Sequence, residues 1–255
     1  MNLSGGPQFG TVVLTTAYLP PVEYFFAVAH SDRVLIEQHE AYQKQSWRNR
    51  CRILATAGPE DLSIPVVKEE RLSRPIRDIR IDYGEPWLQH HIRAFEAAYK
   101  HSAFYDYYAD DLIPILQRKP AFLFDLNMAL LEKLLVLLGL TVPVSLTESF
   151  LNDYSSIEEK TVSLPRSQNL QDSRHLVLKN RGFSTRPAQD CFFFDGRERI
   201  QPKYKGESLL AEYCCEQAYY QVFVNRAPGA GFIPNLSILD LLSAEGPNAR
   251  TFFRT

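Results

Sequence analysis

Residues 11 to 16, Thr-Val-Val-Leu-Thr-Thr, are β-branched or apolar throughout, the pattern of a short buried strand. Pro20 and Pro21 stop it, because proline offers no ladder N–H and restricts the residue before it. From Val22 to Ala29 the apolar residues Val22, Phe25, Phe26 and Ala29 share one side of a helix. Asp32 to Glu37 then reads as a second strand. Strand, proline turn, helix, strand is the order of a βαβ unit. Such units place ligands outside the carboxyl ends of their strands. The Thr15 to Pro21 turn and the Glu37 to Lys44 stretch would then form two walls of one crevice.

Further along, a turn at Gly58-Pro59 leads into a predicted strand over Leu62 to Val67, with Pro65 marking an edge or bulge. Ile76 to Tyr83 alternates imperfectly and reads as strand rather than helix. After Gly84, with Pro86 in the first turn, Leu88, Ile92, Phe95 and Tyr99 recur at helical spacing and form a core-facing stripe. His90 and His91 fit a solvated helix surface or a site. The helix turns aromatic and acidic through Phe104 to Tyr108. A second helix runs from Leu123 to Leu138, with Gly139 as its stop, and Val142 to Thr147 is a further strand. Residues 152–175 are polar with little periodicity, a long connection or lid. Turns at Lys179 to Phe183 and Gln201 to Gly206 follow, then the aromatic stretch Tyr219 to Phe223. The last element is a short helix with Leu236, Leu239 and Leu242 on one side, capped by Asn235 and ended by Gly246-Pro247, its Asp240 exposed or facing a site.

The fold class is α/β: an N-terminal βαβ-type layered core with a mostly parallel or mixed sheet, helices packed on it, and a long irregular connection before the C-terminal part. With 255 residues there is length for a substantial core. The expected organisation is one domain over 1–255, with 11–150 as the α/β core and 151–255 as a loop-rich completing part.

Composition narrows the chemistry. A net charge of −2 argues against a general nucleic-acid partner. Cys51, Cys191, Cys214 and Cys215 form no Cys-x-x-Cys pair and lack a matching histidine spacing. No metal site or other cofactor is therefore expected, and reduced thiols fit a cytoplasmic protein. The N-terminus lacks the basic and apolar regions of a secretion signal. The apolar run from Leu134 to Leu140 is too short to span a bilayer.

The most informative stretch is Tyr42 to Ile53, which gathers Lys44, Arg48, Arg50 and Arg52 around Trp47, with amides at Gln43, Gln45 and Asn49. If extended, it puts the four cations on one face and Trp47 and Cys51 on the other. Convergent donors suit a phosphate or carboxylate; the alternative is a solvated basic edge strand anchored by tryptophan. Tyr18, Lys44, Trp47, Arg48, Asn49 and Arg50 are thus candidate substrate-binding residues, joined by Arg174 from the long connection. Glu37 or His39 is the first candidate general base, with Asp172 or His175 arriving from that connection. Arginines nearby would activate a Cys51 thiolate, but its strand parity turns it away from them. The glycine-rich, Walker, zincin and nucleophile-elbow motifs are absent.

Three blocks carry a resemblance: Thr15 to Phe25 with its Tyr-Leu-Pro-Pro-Val-Glu-Tyr, Lys44 to Cys51 with Trp-Arg-Asn-Arg, and Leu236 to Leu242 with Leu-Ser-Ile-Leu-Asp, followed by Gly246-Pro247. In this order they resemble the WbqC-like family. The family's first block usually resembles Gln-Pro-x-Tyr-x-Pro-Trp-x-Gly-Tyr; here Thr15 and Thr16 replace Gln-Pro, Pro21 replaces Trp and Glu23 replaces Gly, while Tyr18, Pro20 and Tyr24 remain. The family is associated with O-antigen and other surface polysaccharides, so the resemblance implies work on an activated sugar. The expected function is a cytoplasmic transferase acting on a nucleotide-activated or phosphorylated sugar, with acyl or aminoacyl transfer as a variant. Its expected partners are a small anionic or sugar-phosphate ligand and other proteins of the polysaccharide pathway. The alternative is a non-catalytic binding or assembly protein of the same pathway.

Overall fold

The computed structural model describes residues 9–70, 74–151, 193–212, 218–224 and 231–253. Its centre is a four-stranded sheet in the order β5-β2-β1-β6, built from β1 (Phe9–Thr15), β2 (Ser31–Glu37), β5 (Val144–Leu146) and β6 (Phe193–Asp195). Every pairing in it is parallel. Strand β1 is central and buried at all positions except Gly10, which is why its sequence is apolar without alternation. Helix α1 (Val22–Ala29) crosses from β1 to β2 and is buried from Val22 through Val28. The one-sided stripe expected for it gives way to burial all round, because the C-terminal elements cover its outer face.

A separate antiparallel hairpin joins β3 (Arg50–Ala55) and β4 (Gly58–Ser63). The turn falls at Thr56-Ala57, two residues before the expected Gly58-Pro59, and the strand expected over Leu62 to Val67 ends at Ser63. Pro59 is tolerated opposite Leu54 because this sheet has two strands, so the missing N–H faces no further partner. Ile76 to Tyr83 is likewise not a strand: Ile76–Asp78 is a 3₁₀ turn, followed by single bridges from Arg80 to Phe122 and from Ile81 to Val66. The three-residue spacing of buried Ile76 and Ile79 fits the 3₁₀ period better than alternation.

Helix α2 (Trp87–Tyr99) and helix α3 (Tyr105–Gln117) are distinct, not one continuing element. The break lies near Phe104, whose N–H donates to Ser243 O at 3.0 Å. Helix α4 (Leu123–Leu138) buries Leu123, Leu126, Leu130, Leu134 and Leu138 and ends in a left-handed Gly139 at φ 64°. Short helix α5 (Leu209–Glu212) precedes α6 (Ile238–Glu245), and a 3₁₀ segment over Gly246–Phe253 closes the described chain. The cap of α6 is Ser237, whose side chain accepts from Leu239 N. Asn235 caps a different helix: at φ 58° it turns its Oδ1 to accept from Glu23 N–H in the first turn of α1, at 3.0 Å. No helix among the described residues is long and apolar enough to cross a membrane.

Candidate active site at the carboxyl edge of the sheet

The sheet's register brings the carboxyl ends of its strands together, with Thr15 opposite Glu37, Ile36 opposite Leu146 and Val13 opposite Asp195. From β1 the chain crosses to β2 on one side, while β6 arrives on the other. Such a reversal opens a crevice at the strand ends, the usual ligand position in parallel sheets. Polar groups concentrate there.

Glu37 is fully buried. Its Oε1 accepts from His39 N–H at 2.8 Å and Thr147 Oγ1 at 2.9 Å. Its Oε2 accepts from Leu151 N–H at 2.9 Å and Arg197 Nη1 at 3.4 Å. Two donors on each oxygen fill the acceptor capacity of a carboxylate. The half-buried His39 ring sits next to it, with Nε2 donating to Thr147 O at 3.1 Å. A carbonyl can only accept, so Nε2 carries a proton, and a neutral ring then presents its lone pair at Nδ1.

A second carboxylate, Glu40, meets Arg48 in a bidentate pair, Nε to Oε1 at 2.8 Å and Nη2 to Oε2 at 2.5 Å. Burial pushes the Glu40 carboxyl above its usual range, and Arg48 offsets only part of that rise. Arg48 Nη1 also donates to Gln43 Oε1 at 3.3 Å. Gln201 Nε2 donates to the same oxygen at 3.4 Å and to Arg197 O at 2.5 Å. Arg197 grips Asp195 through Nε and Nη2 and donates from Nη1 to Leu151 O at 3.0 Å. Tyr24, pushed up by burial and then by the Glu40 charge, donates its hydroxyl to Thr15 O at 2.9 Å. One network thus joins Glu37, His39, Glu40, Arg48, Asp195 and Arg197.

The basic stretch does not converge as a strand would make it. Residues 44 to 49 form turns, with Gln45 at φ 57°, so the period of two begins only at Arg50. Lys44 is exposed. Arg48 points inward to Glu40, while Arg50 and Arg52 both hold Asp61 across the hairpin. Trp47 is buried, yet its ring lies 5.6 Å from the Arg52 guanidinium carbon, not on the opposite face. Asn49 Nδ2 donates to Ile64 O at 2.7 Å. Tyr18 is fully buried beneath this turn, its N–H on Trp47 O and its hydroxyl 2.9 Å from His91 Nδ1. Burial lowers the buried His91 to about 4, so its ring is neutral. Its other nitrogen faces the Ser63 backbone, which leaves Nδ1 to accept from Tyr18. Cys51 is enclosed, and burial drives its thiol far up, away from thiolate chemistry.

Comparison with known proteins bears on the whole chain. The model of the WbqC-like protein family matches residues 16–177, more than half of the sequence. The chain belongs to the WbqC-like protein family. The uncharacterized protein Rv1507c of Mycobacterium tuberculosis is 30% identical over 243 residues, covering 95% of this chain and 96% of its own length. No solved structure matches.

In this WbqC-like chain the matched span contains Glu37, His39, Glu40 and Arg48, whereas Asp195, Arg197 and the Leu236 to Asp240 block lie beyond it. Asp172, Arg174 and His175 lie outside the described residues, as do Cys191, Cys214 and Cys215. Sequence reasoning missed Asp195 and Arg197. Their signal was Phe192 to Phe194 followed by Asp-Gly, an apolar run closed by a turn pair. Gly196 lets the turn sit close to β1: a Cβ there would lie 2.6 Å from Leu14 Cδ2, so the Leu14 side chain would have to shift.

Proposed function

We propose that this protein is a transferase acting on a nucleotide-activated or phosphorylated sugar in surface polysaccharide biosynthesis, with its ligand at the carboxyl edge of the parallel sheet. The observation that carries the reading is the His39–Glu37 arrangement at the end of β2. His39 is held by Thr147 O with Nε2 as donor, which makes Nδ1 the atom that carries the lone pair in the neutral ring. Glu37, saturated by four donors, holds the His39 backbone and Arg197 rather than reacting itself. A base oriented by a buried carboxylate is the pattern of proton abstraction from an acceptor hydroxyl or amine. In this reading His39 takes the proton, Glu37 positions it, and Arg197 offsets charge that develops on the leaving group. Acyl or aminoacyl transfer to the sugar uses the same base.

The test is product formation from a panel of nucleotide sugars, sugar phosphates and acyl donors, followed by mass spectrometry. Turnover by the wild type that falls at least about a hundredfold in His39→Gln agrees with a general base. Turnover untouched by that change removes His39 from the mechanism. A second reading draws on the closure of every cation in the network onto a carboxylate: a non-catalytic binding or assembly protein of the same pathway. Ligand binding with no turnover across the panel selects it.

A further inference from the structure

Two uncharged side chains, Gln43 and Gln201, bridge the carboxyl edge. Gln43 lies in the stretch after β2 and Gln201 in the chain after β6, and β1 runs between those two strands. The hydrogen bond from Gln201 Nε2 to Gln43 Oε1, at 3.4 Å, therefore spans the end of β1, where the crevice opens. Each amide has its orientation set by a partner with a single role. A guanidinium can only donate, so the Gln43 atom 3.3 Å from Arg48 Nη1 is its oxygen. A carbonyl can only accept, so the Gln201 atom 2.5 Å from Arg197 O is its nitrogen. Two donors thus fill Gln43 Oε1, while Gln43 Nε2 and Gln201 Oε1 bond no described residue. Gln43 is exposed and Gln201 half-buried, so both atoms can meet a ligand.

We propose that Gln43 and Gln201 are specificity residues that seat neighbouring sugar hydroxyls, Gln43 Nε2 donating and Gln201 Oε1 accepting. A hydroxyl both donates and accepts, so a pair of them answers both amides at once. A phosphate oxygen only accepts and would leave Gln201 Oε1 facing negative charge. The charges of the network point the same way. Arg48 is closed on Glu40, and Arg197 on Asp195 and Glu37, three carboxylates to two guanidinium groups. A phosphate is left to cations outside this network, of which Lys44 is exposed and next to Gln43 in the chain. Arg197 also carries an exposed ring to this edge: Phe150 is 47% exposed, with Arg197 Cζ 5.6 Å from its centroid. An apolar surface with a few placed polar groups is the usual make-up of a ligand site, and here it suits the C–H face and hydroxyls of one sugar.

This seating rests on the carboxyl edge being the ligand site, as the transferase reading holds. A pyrimidine edge also sets a donor beside an acceptor, and the choice of probes separates the two. The experiment is a nitrogen-15 NMR titration of the full chain that follows the Gln43 side-chain amide. The probes are the methyl glycosides of glucose, galactose and N-acetylglucosamine, the corresponding sugar 1-phosphates, uridine and inorganic phosphate. At least one glycoside is expected to move the Gln43 amide, and inorganic phosphate to leave it in place. Gln43→Met and Gln201→Met each remove one amide at the rim and leave Arg48 paired with Glu40, so the fold is retained. Each should weaken that glycoside and its 1-phosphate by the same factor, about tenfold. Affinities are read from backbone amides, which every variant keeps. Movement of the Gln43 amide by inorganic phosphate, or by uridine in place of a glycoside, overturns the sugar seating. So does a glycoside affinity unchanged in both variants, or no response to any probe. If His39→Gln weakens the same glycoside while both glutamine variants do not, the edge stands and the amide pair falls. If none of the three weakens it, the edge site falls as well.

Discussion

Two arginine–carboxylate clusters lie close in sequence and differ in their physics. Arg48 and Glu40 pair inside the core, with side chains 1% and 8% exposed. Arg50 and Arg52 share Asp61 on the outer face of the hairpin, where the three side chains are 22%, 37% and 27% exposed. In the core, desolvation outweighs the Arg48 charge, and the Glu40 carboxyl rises. On the hairpin, burial also pushes upward, but hydrogen bonds and charge from Arg52 and Arg50 prevail and Asp61 falls below its usual range. The same residue types thus sit on opposite sides of the balance between desolvation and attraction. Four basic residues in a row of nine therefore make no basic patch here; what matters is the charge left after pairing.

The contrast breaks most visibly in substitution. Arg48→Ala leaves a buried carboxylate without its partner and is expected to cost ~3–5 kcal/mol in urea unfolding. Its effect falls on the fold, not selectively on ligand binding. Arg197→Ala, which strips one hydrogen bond from Glu37 and the grip on Asp195, is expected to cost about 1.5–3 kcal/mol. Arg52→Ala on the hairpin should cost less than ~1 kcal/mol, and a double-mutant cycle with Asp61 should give a coupling of the same small size. An Arg52–Asp61 coupling as large as that of Arg48 with Glu40 would erase the distinction.

The pH dependence sharpens the same comparison at smaller scale. Glu40, raised in the fold, contributes stability at acid pH that is lost as pH rises through its folded value. Asp61, lowered in the fold, contributes stability above the unfolded carboxylate value that is lost as pH falls through its folded one. Relative to Glu40→Gln, the wild type should lose ground as pH rises. Relative to Asp61→Asn it should gain. Denaturant melts of the three proteins over the acid range read both slopes, and slopes of the same sign would contradict the assignment.

Helices α1 and α4 were legible to the residue because proline, glycine and strong apolar periodicity mark their ends. The parallel βαβ start was legible for the same reason, and it pointed to the end of β2, where Glu37 and His39 do meet. The rest depended on contacts that local pattern does not encode. Strand β6 has three residues, and the Arg197–Glu37 contact joins positions 160 apart in sequence. Arg48 was misplaced because the turn through Gln45 and Ser46, closed by Ser46 Oγ on Gln43 O at 2.7 Å, cancels the strand period. Asn235 has the right chemistry for a cap, and only the tertiary fold assigns it to α1 rather than α6.

The most direct test of the carboxyl-edge site is a thermal-shift screen of wild type, His39→Gln and Arg52→Gln. The panel would hold nucleotide sugars, free nucleotides, sugar phosphates and acyl-coenzyme A. A ligand that binds the native state raises the melting temperature by mass action. The account predicts that one class stabilises the wild type and Arg52→Gln alike, and that His39→Gln loses the shift. A shift that persists in His39→Gln and vanishes in Arg52→Gln would move the site to the hairpin and contradict the account.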